Sequence, residues 1–126
     1  MTFDSDDSGL GQVMRDFNLR VQHLEALGYG PVTSRMRTPA RNVLAGGASR
    51  SQHLIGTAAD FAILASQWAQ FQRDARAVGL IAVNELARPG HGPHAHVQLF
   101  PAGKAPESLF TAAAARTPGI QIQETP

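Results

Sequence analysis

An acidic residue lies inside one of the apolar stretches of this chain. Residues 57–64 run Thr-Ala-Ala-Asp-Phe-Ala-Ile-Leu, which predicts a largely buried strand that contains Asp60. A buried carboxylate has a large desolvation cost unless it is paired with a cationic group or bound to a metal ion. We therefore expect the chain to fold so that a partner for Asp60 reaches this strand.

The histidines supply candidate partners. Four of the five lie in two short segments, His53 in the first and His91, His94 and His96 in the second. Taken alone, His53 would be interpreted as a loop histidine bonded to the backbone. The alternation His94-x-His96 on a predicted strand changes that interpretation, because a period of two puts both rings on one face. Together with Asp60, these side chains favour a metal site.

The lack of cysteine restricts the ligands that such a site can use. With no cysteine in the chain, disulfides, thiolate metal sites and cysteine nucleophiles are excluded, so histidine and carboxylate must hold any ion. Zinc is favoured over calcium, which prefers oxygen ligands, although the same set also suits non-haem iron. Three protein ligands leave a position open for water, as in catalytic zinc sites.

Composition indicates a single globular domain. The chain has 126 residues, 43% of them hydrophobic and 17% charged, which suffices for a core of its own. A net charge of +1 gives no electrostatic argument for binding to nucleic acid or a membrane surface, and no apolar run approaches the ~18 residues of a membrane span. The N-terminus lacks the features of a secretory signal, so we expect synthesis in the cytoplasm. We also expect a monomer.

Apolar periodicity and turn residues divide the chain into helices and strands. We expect helices over 9–27, 38–44, 66–79 and 106–116, the third capped by Ser66, and strands over 31–36, 57–64, 80–86 and 94–100. The apolar stripe of the first helix consists of Val13, Phe17, Val21, Leu24 and Leu27.

The last two strands are joined by a turn-rich loop, which predicts an antiparallel pair. The fold class is therefore α+β, with a small, mainly antiparallel sheet flanked by helices. We expect one domain over residues 9–116, with flexible termini over 1–8 and 117–126.

Three motifs resemble those of a known group of enzymes. Ser51-x-His53-x-x-Gly56-x-Ala58-x-Asp60 resembles the SxHxxGxAxD signature of the zinc D-Ala-D-Ala carboxypeptidases and L-alanyl-D-glutamate endolysins. Their wider group includes lysostaphin-type peptidases and the hedgehog signalling domain, and His94-Ala-His96 is similar to its HxH motif. The run from Thr33 to Pro39, followed by Asn42 and Gly46-Gly47, resembles the segment that precedes the zinc motif. The resemblance covers roughly residues 12–100, and three motifs in order are specific where one alone is weak.

The resemblance implies a small α+β domain that uses zinc to hydrolyse amide bonds in bacterial cell-wall peptides. By position, His53, Asp60 and His96 would ligate zinc. Arg37 would stabilise the oxyanion of the tetrahedral intermediate, and its alternative is a surface arginine, one of four nearby.

Three residues close to the first two ligands also have expected roles. Ser51 and Gln52 are expected to contact substrate, and Ser51 could equally be a turn residue that fixes the loop. Gly56 is expected where the backbone turns tightly between the two ligands, which is a purely structural role.

At the position where many members of the group carry the general base, this sequence differs. Many relatives place a carboxylate three residues before the last zinc histidine, whereas Pro93 stands three residues before His96 here. Three candidates remain for the base. We favour His94, followed by Glu85 at the end of the preceding strand and then by His91.

The resulting hypothesis is a peptidoglycan peptidase, acting on the L-Ala–D-Glu bond, the terminal D-Ala–D-Ala bond or the interpeptide cross-link. A compact chain without a signal peptide resembles a phage endolysin or a virion-associated lysin, which reaches the cell wall by release or delivery. The alternative is a non-catalytic zinc-containing module that binds the wall, which Pro93 favours and Arg37 opposes. A third interpretation is a phage tail component that contains a peptidase domain.

Overall fold

The computed structural model describes residues 9–36, 50–87 and 92–124, with side chains described as far as residue 115. Two candidate site residues, Arg37 and His91, lie outside these described residues, and so does the predicted helix over 38–44. Across the described ranges, no helix combines the length and the apolar character needed to span a bilayer.

A four-stranded antiparallel sheet forms the centre of the molecule. Its strands are β1 (Val32–Ser34), β2 (Ala58–Phe61), β3 (Ile81–Glu85) and β4 (His94–Gln98), arranged in the order β1-β2-β4-β3. Every neighbouring pair is antiparallel, including the predicted pair β3 and β4. The order makes β2 and β4 the inner strands, and these carry most of the predicted metal ligands.

Helices cover one face and one end of this sheet. They are α1 (Leu10–Ala26), α2 (Trp68–Ala77) and α3 (Glu107–Glu124), together with short 3₁₀ helices at Gln52–Ile55 and Ala65–Gln67. This arrangement confirms the predicted α+β class. The last helix continues beyond Arg116, where the sequence pattern predicted its end.

The main core lies between the sheet and helices α1 and α2. It is built from the buried side chains of Phe17, Val21, Leu24, Ala59, Phe61, Phe71, Ala75, Ala95 and Val97. The alternation of β4 puts Ala95 and Val97 into this core, and it therefore turns His94 and His96 to the opposite face. Burial of one face thus presents the polar side chains of β4 together on the other.

A second apolar cluster holds the first 3₁₀ helix in place. Ile55 of that helix packs with Leu10 at the start of α1 and with Leu109 and Phe110 of α3, all of them buried. Because the 3₁₀ helix also carries His53, this packing fixes the position of the first predicted metal ligand.

Several predicted element boundaries were wrong. The strand expected over 57–64 is limited to Ala58–Phe61, and all four of its residues are buried. Leu27 was assigned to the buried stripe of α1, but it follows the last helical residue and is 53% exposed. Leu10 is buried instead, one turn before Val13.

The predicted cap of the helix after β2 was also wrong. Ser66 lies inside the 3₁₀ helix that leads into α2, so it does not cap the helix. The side chain of Gln67 stabilises the N-terminus of the 3₁₀ helix instead, because its Oε1 accepts a hydrogen bond from the Leu64 backbone N–H at 2.8 Å.

Gly56 ends the first 3₁₀ helix in the left-handed backbone region, with φ of 68°. A Cβ at this position would also lie 2.9 Å from the terminal carbon of Met14. Gly103 has a similar φ of 74°, but a Cβ there would meet nothing within 4 Å.

This difference leads to a matched prediction. Gly103→Ala should lower the free energy of unfolding by about 1–2 kcal/mol through backbone strain alone. Gly56→Ala should lower it further, because the side chain of Met14 must move as well. Urea unfolding of both variants measures the difference. Equal losses would show that the packing of Met14 against Gly56 contributes nothing to stability.

Candidate metal centre

The register of the sheet brings the polar side chains together. Asp60 on β2 lies directly opposite His96 on β4, and Glu85 on β3 lies directly opposite His94 on β4. Side chains at directly opposed positions of an antiparallel pair have Cβ atoms about 4.5–5.5 Å apart. Two polar pairs therefore occupy adjacent places on the sheet face that does not pack against α1 and α2.

His53 reaches the same place from the first 3₁₀ helix. Ser51 precedes this helix in an extended conformation, and its Oγ accepts a hydrogen bond from the His53 backbone N–H at 3.2 Å. Ser51 therefore caps the helix that presents His53, which agrees with its alternative role as a turn residue. The side chain of His53 is only 3% exposed.

Three ligand atoms converge on one point. His53 Nε2 lies 3.5 Å from Asp60 Oδ1, and His96 Nδ1 lies 3.1 Å from the same oxygen. Tetrahedral zinc with bonds of about 2.0–2.1 Å needs ligand atoms that are about 3.3 Å apart. The two observed distances lie on either side of that value, so each histidine is placed to share a zinc ion with Asp60.

Hydrogen bonds behind His53 fix which of its nitrogens faces Asp60. His53 Nδ1 lies 2.5 Å from the backbone carbonyl oxygen of Arg35. A carbonyl only accepts, so Nδ1 carries the hydrogen and Nε2 presents a lone pair to Asp60. Arg35 itself is held to α1, because its guanidinium donates to Asn18 and Glu25 at 3.1 Å each.

A chain of amides fixes His96 in the same way. Gln98 Nε2 donates to the carbonyl oxygen of Phe100 at 2.9 Å, so Gln98 Oε1 must face His96 Nε2, which lies 2.8 Å away. His96 Nε2 is therefore the donor, and Nδ1 presents its lone pair to Asp60. Gln52 supports this chain by bonding to both the carbonyl oxygen and the amide N–H of Phe100, at 2.6 and 3.0 Å.

This arrangement requires a positive charge at its centre. Two imidazole lone pairs and a carboxylate oxygen face one another, and three such acceptors repel unless a proton or a metal ion lies among them. An imidazole whose outer nitrogen donates to an oxygen is the usual arrangement of a metal-binding histidine. The donor set and its hydrogen bonds therefore fit a zinc ion held by His53, Asp60 and His96.

The pKa values of Asp60 and His96 show that the cluster favours a negative carboxylate beside a positive charge. Burial alone would raise the pKa of Asp60, but the contacts with His53 and His96 hold it far below its usual range. Burial also opposes the charged form of His96, yet the contacts with Asp60 and Gln98 raise the pKa of His96. Asp60 is thus kept ionised, as a metal ligand must be.

A second pair borders the first cluster. His94 Nε2 lies 2.7 Å from Glu85 Oε1, and His94 Nδ1 lies 2.9 Å from the carbonyl oxygen of Gly92. Ligand atoms of Asp60, Glu85 and His94 all lie within 4.8 Å of one another, so Asp60 belongs to both clusters. A base at this pair would act next to a metal held by the first cluster.

The remaining predicted site residues have different surroundings. The amide of Gln52 is largely buried, and its oxygen also accepts from the hydroxyl of Thr57 at 3.1 Å, which gives this side chain a structural role. Contact of Gln52 with substrate stays a prediction. Arg37 and His91 lie outside the described residues, so their predicted roles stay predictions as well.

Two positioning groups were missed at the sequence level. The period-two pattern on β4 placed Gln98 on the face of the histidines, and that pattern could have identified it as a partner of His96. The carbonyl of Arg35 has no comparable signal, because any residue type supplies the same backbone oxygen.

Comparison with known proteins identifies a family. A family model described as Peptidase M15 matches residues 11–98. A search of curated proteins and a search of solved structures found no match. The matched range contains every residue of the two clusters.

The ionisation of the cluster predicts how stability changes with pH in the metal-free chain. Asp60, with its lowered pKa, contributes stability above about pH 4, and this is lost as the pH falls through its folded-state pKa. His96, with its raised pKa, contributes stability below about pH 6.5, and this is lost as the pH rises through its folded-state pKa. The contribution of the pair should therefore be largest at mildly acidic pH.

Thermal unfolding of the metal-free chain and of His96→Gln, from about pH 4 to about pH 9, measures this contribution as the difference between the two. The difference should shrink above neutral pH. Zinc affinity should change in the opposite direction and rise with pH, because zinc must displace the proton from His96. A difference that grows from pH 6 to about pH 9 would contradict the assigned ionisation.

The amide chain predicts a specific effect of Gln98. Gln98→Leu removes the acceptor of His96 Nε2 and should weaken zinc binding by about 10–100-fold, as measured by competition with a chelator. Gln98→Glu keeps an acceptor and should restore part of the affinity. Gln70→Leu is the matched control, because the side chain of Gln70 lies on the exposed face of α2, where it bonds to Asp74, away from the cluster. Equal zinc affinity of Gln98→Leu and the unaltered chain would remove Gln98 from the metal centre.

Proposed function

The chain belongs to the peptidase M15 family, whose model spans residues 11–98, and on that premise we propose that it is a zinc-dependent peptidase of bacterial peptidoglycan. The family implies peptide substrates. The observation that carries the proposal is the convergence of His53, Asp60 and His96 on one point, with the Glu85–His94 pair beside them.

The first cluster would hold the metal. His53 Nε2, Asp60 Oδ1 and His96 Nδ1 are the ligand atoms, and their outer hydrogen bonds keep both rings in the required tautomer. Zinc bound there supplies Lewis acidity toward a water molecule and toward the carbonyl oxygen of the peptide bond. The protein contributes the fixed geometry and the ionised carboxylate of Asp60.

The second pair would move the proton. His94 Nε2 lies 2.7 Å from Glu85 Oε1, and its Nδ1 lies 2.9 Å from the Gly92 carbonyl oxygen, so the ring holds the Glu85 carboxylate in place beside the first cluster. A carboxylate in this position next to the metal ligands could take a proton from the attacking water. We therefore assign the general base to Glu85, with His94 as the group that positions it, which reverses the order favoured by the sequence.

A groove beside this pair supports binding of a peptide. A cavity of about 450 Å³ is lined by apolar side chains that include Ile63, Leu64, Leu86 and Pro93. Leu86 follows the proposed base directly, and Pro93 precedes His94 directly. The cavity is therefore a candidate site for an apolar side chain of the substrate, at the end of the sheet where the pair lies.

The finer assignments are proposals as well. Arg37 is proposed to stabilise the oxyanion, and Ser51 to contact substrate in addition to capping the helix of His53. The chain is proposed to act as a monomer on the cell wall, as an endolysin or virion-associated lysin does. The bond is one of three: L-Ala–D-Glu, D-Ala–D-Ala or the interpeptide cross-link.

A non-catalytic zinc module of the same fold is the alternative. Pro93 favours it, because this position lacks the carboxylate that many relatives place three residues before the last zinc histidine. The contact of Glu85 with His94 opposes it, because a carboxylate from the neighbouring strand is brought to the cluster instead.

Hydrolysis by variants tests the proposal. Glu85→Gln should bind one zinc ion at the first cluster but lose at least about 100-fold in the release of peptides from purified sacculi, because the base is removed. His53→Ala should lose both the zinc and the hydrolysis. Metal content is measured by elemental analysis, and mass spectrometry of the released fragments identifies the bond.

Glu107→Gln is the matched control, because Glu107 is an exposed carboxylate that pairs with Arg50 and belongs to neither cluster. It should retain both zinc and activity. If the zinc-loaded chain binds sacculi without releasing peptides, the non-catalytic module is the correct assignment. If Glu85→Gln hydrolyses at the rate of the unaltered chain, the base lies elsewhere.

A further inference from the structure

The pair beside the metal centre has the composition of a second metal site. Asp60, Glu85 and His94 contribute two carboxylates and an imidazole, and their ligand atoms lie within 4.8 Å of one another. We infer that these residues form a second, weaker site for a divalent cation, which shares Asp60 with the first.

The hydrogen bonds of His94 support this inference in addition to the short distances among the three side chains. His94 Nδ1 donates to the Gly92 carbonyl at 2.9 Å, so Nε2 presents a lone pair toward Glu85 Oε1, 2.7 Å away. Two acceptors at this distance need a positive charge between or beside them. A divalent cation bound among the three side chains would supply it. The same arrangement holds His53 and His96 ready for the first ion.

The donor types select the cation. One imidazole nitrogen with two carboxylate oxygens suits zinc and similar transition metals, whereas magnesium and calcium prefer oxygen ligands alone. The site is also accessible, because the side chains of His94 and Glu85 are 13% and 23% exposed. A zinc ion in solution can therefore reach the pair directly.

Two features make this site weaker than the first. His94 Nε2 and Glu85 Oε1 are only 2.7 Å apart, closer than the ~3.3 Å between two ligands of a tetrahedral zinc ion, whereas the first site has 3.1 and 3.5 Å to the shared oxygen. The single carboxylate of Asp60 must also serve two cations that repel each other. We expect the first site to fill before the second.

Occupation of the second site should inhibit hydrolysis. The cation would bind the carboxylate of Glu85 and leave it unable to take a proton from water. This consequence depends on the proposed function, whereas the binding itself does not. Excess zinc would therefore switch the chain from an active to an inactive form.

Zinc titration tests the site without any substrate. The metal-stripped chain is titrated with zinc chloride in a calorimeter, and native mass spectrometry counts the bound ions. Two successive events, each of one zinc per chain, are expected. A single event that persists to millimolar zinc would overturn the inference.

Variants locate the second event. Glu85→Gln and His94→Gln should each abolish it and leave the first, and the retained first event shows in the same sample that the variant is folded. Glu107→Gln should keep both events, since its carboxylate belongs to neither cluster. A second event that survives both Glu85→Gln and His94→Gln would overturn the assignment to these residues.

Hydrolysis of sacculi at rising zinc concentration tests the inhibition. Activity should fall with the midpoint of the second binding event. Undiminished activity with the second site filled would overturn the inhibitory role. Absence of activity with one zinc bound would contradict the proposed function instead, and the titration would still decide whether the second site exists.

Discussion

The buried carboxylate of Asp60 is the constraint on which the site depends. It lies on an inner strand, where every residue is shielded from water, and its charge is retained because two imidazoles face it. Removing one partner from such a group leaves an uncompensated charge in a poorly solvated place. The fold must therefore bring the 3₁₀ helix of His53 and the strand of His96 to the same point, whatever else it does.

Alternate side chains of β4 serve the core on one face of the sheet and the candidate site on the other. One face of β4 carries Ala95 and Val97 into the core against α1 and α2, and the other carries His94 and His96. Packing energy on the first face holds the strands in a register that the polar face could not enforce alone. A slip by one residue would exchange the two faces, so core and site are specified together.

Outer hydrogen bonds complete the metal centre. The carbonyl of Arg35 and the amide of Gln98 each take the hydrogen of one ring, and this leaves both lone pairs directed at Asp60. The Glu85–His94 pair repeats the pattern with the carbonyl of Gly92. In each case the acceptor takes the hydrogen of one ring nitrogen, and the other nitrogen is left with a lone pair that can bind a metal ion. These contacts therefore matter as much as the ligands themselves.

Local patterns in the sequence determined the α+β class, the two-faced strand β4 and most helix and strand bounds to within a few residues, because periodicity and turn residues act over short distances. The end of the last helix was the exception. The choice of His53, Asp60 and His96 as ligands came from the resemblance to the zinc peptidases. The tertiary structure decided the rest. Which residue faces Asp60, the pairing of Glu85 with His94 and the carbonyl behind His53 all depend on strand register and on backbone groups that every residue type shares. Such contacts join positions that are distant along the chain, and only packing of the helices against the sheet brings them together.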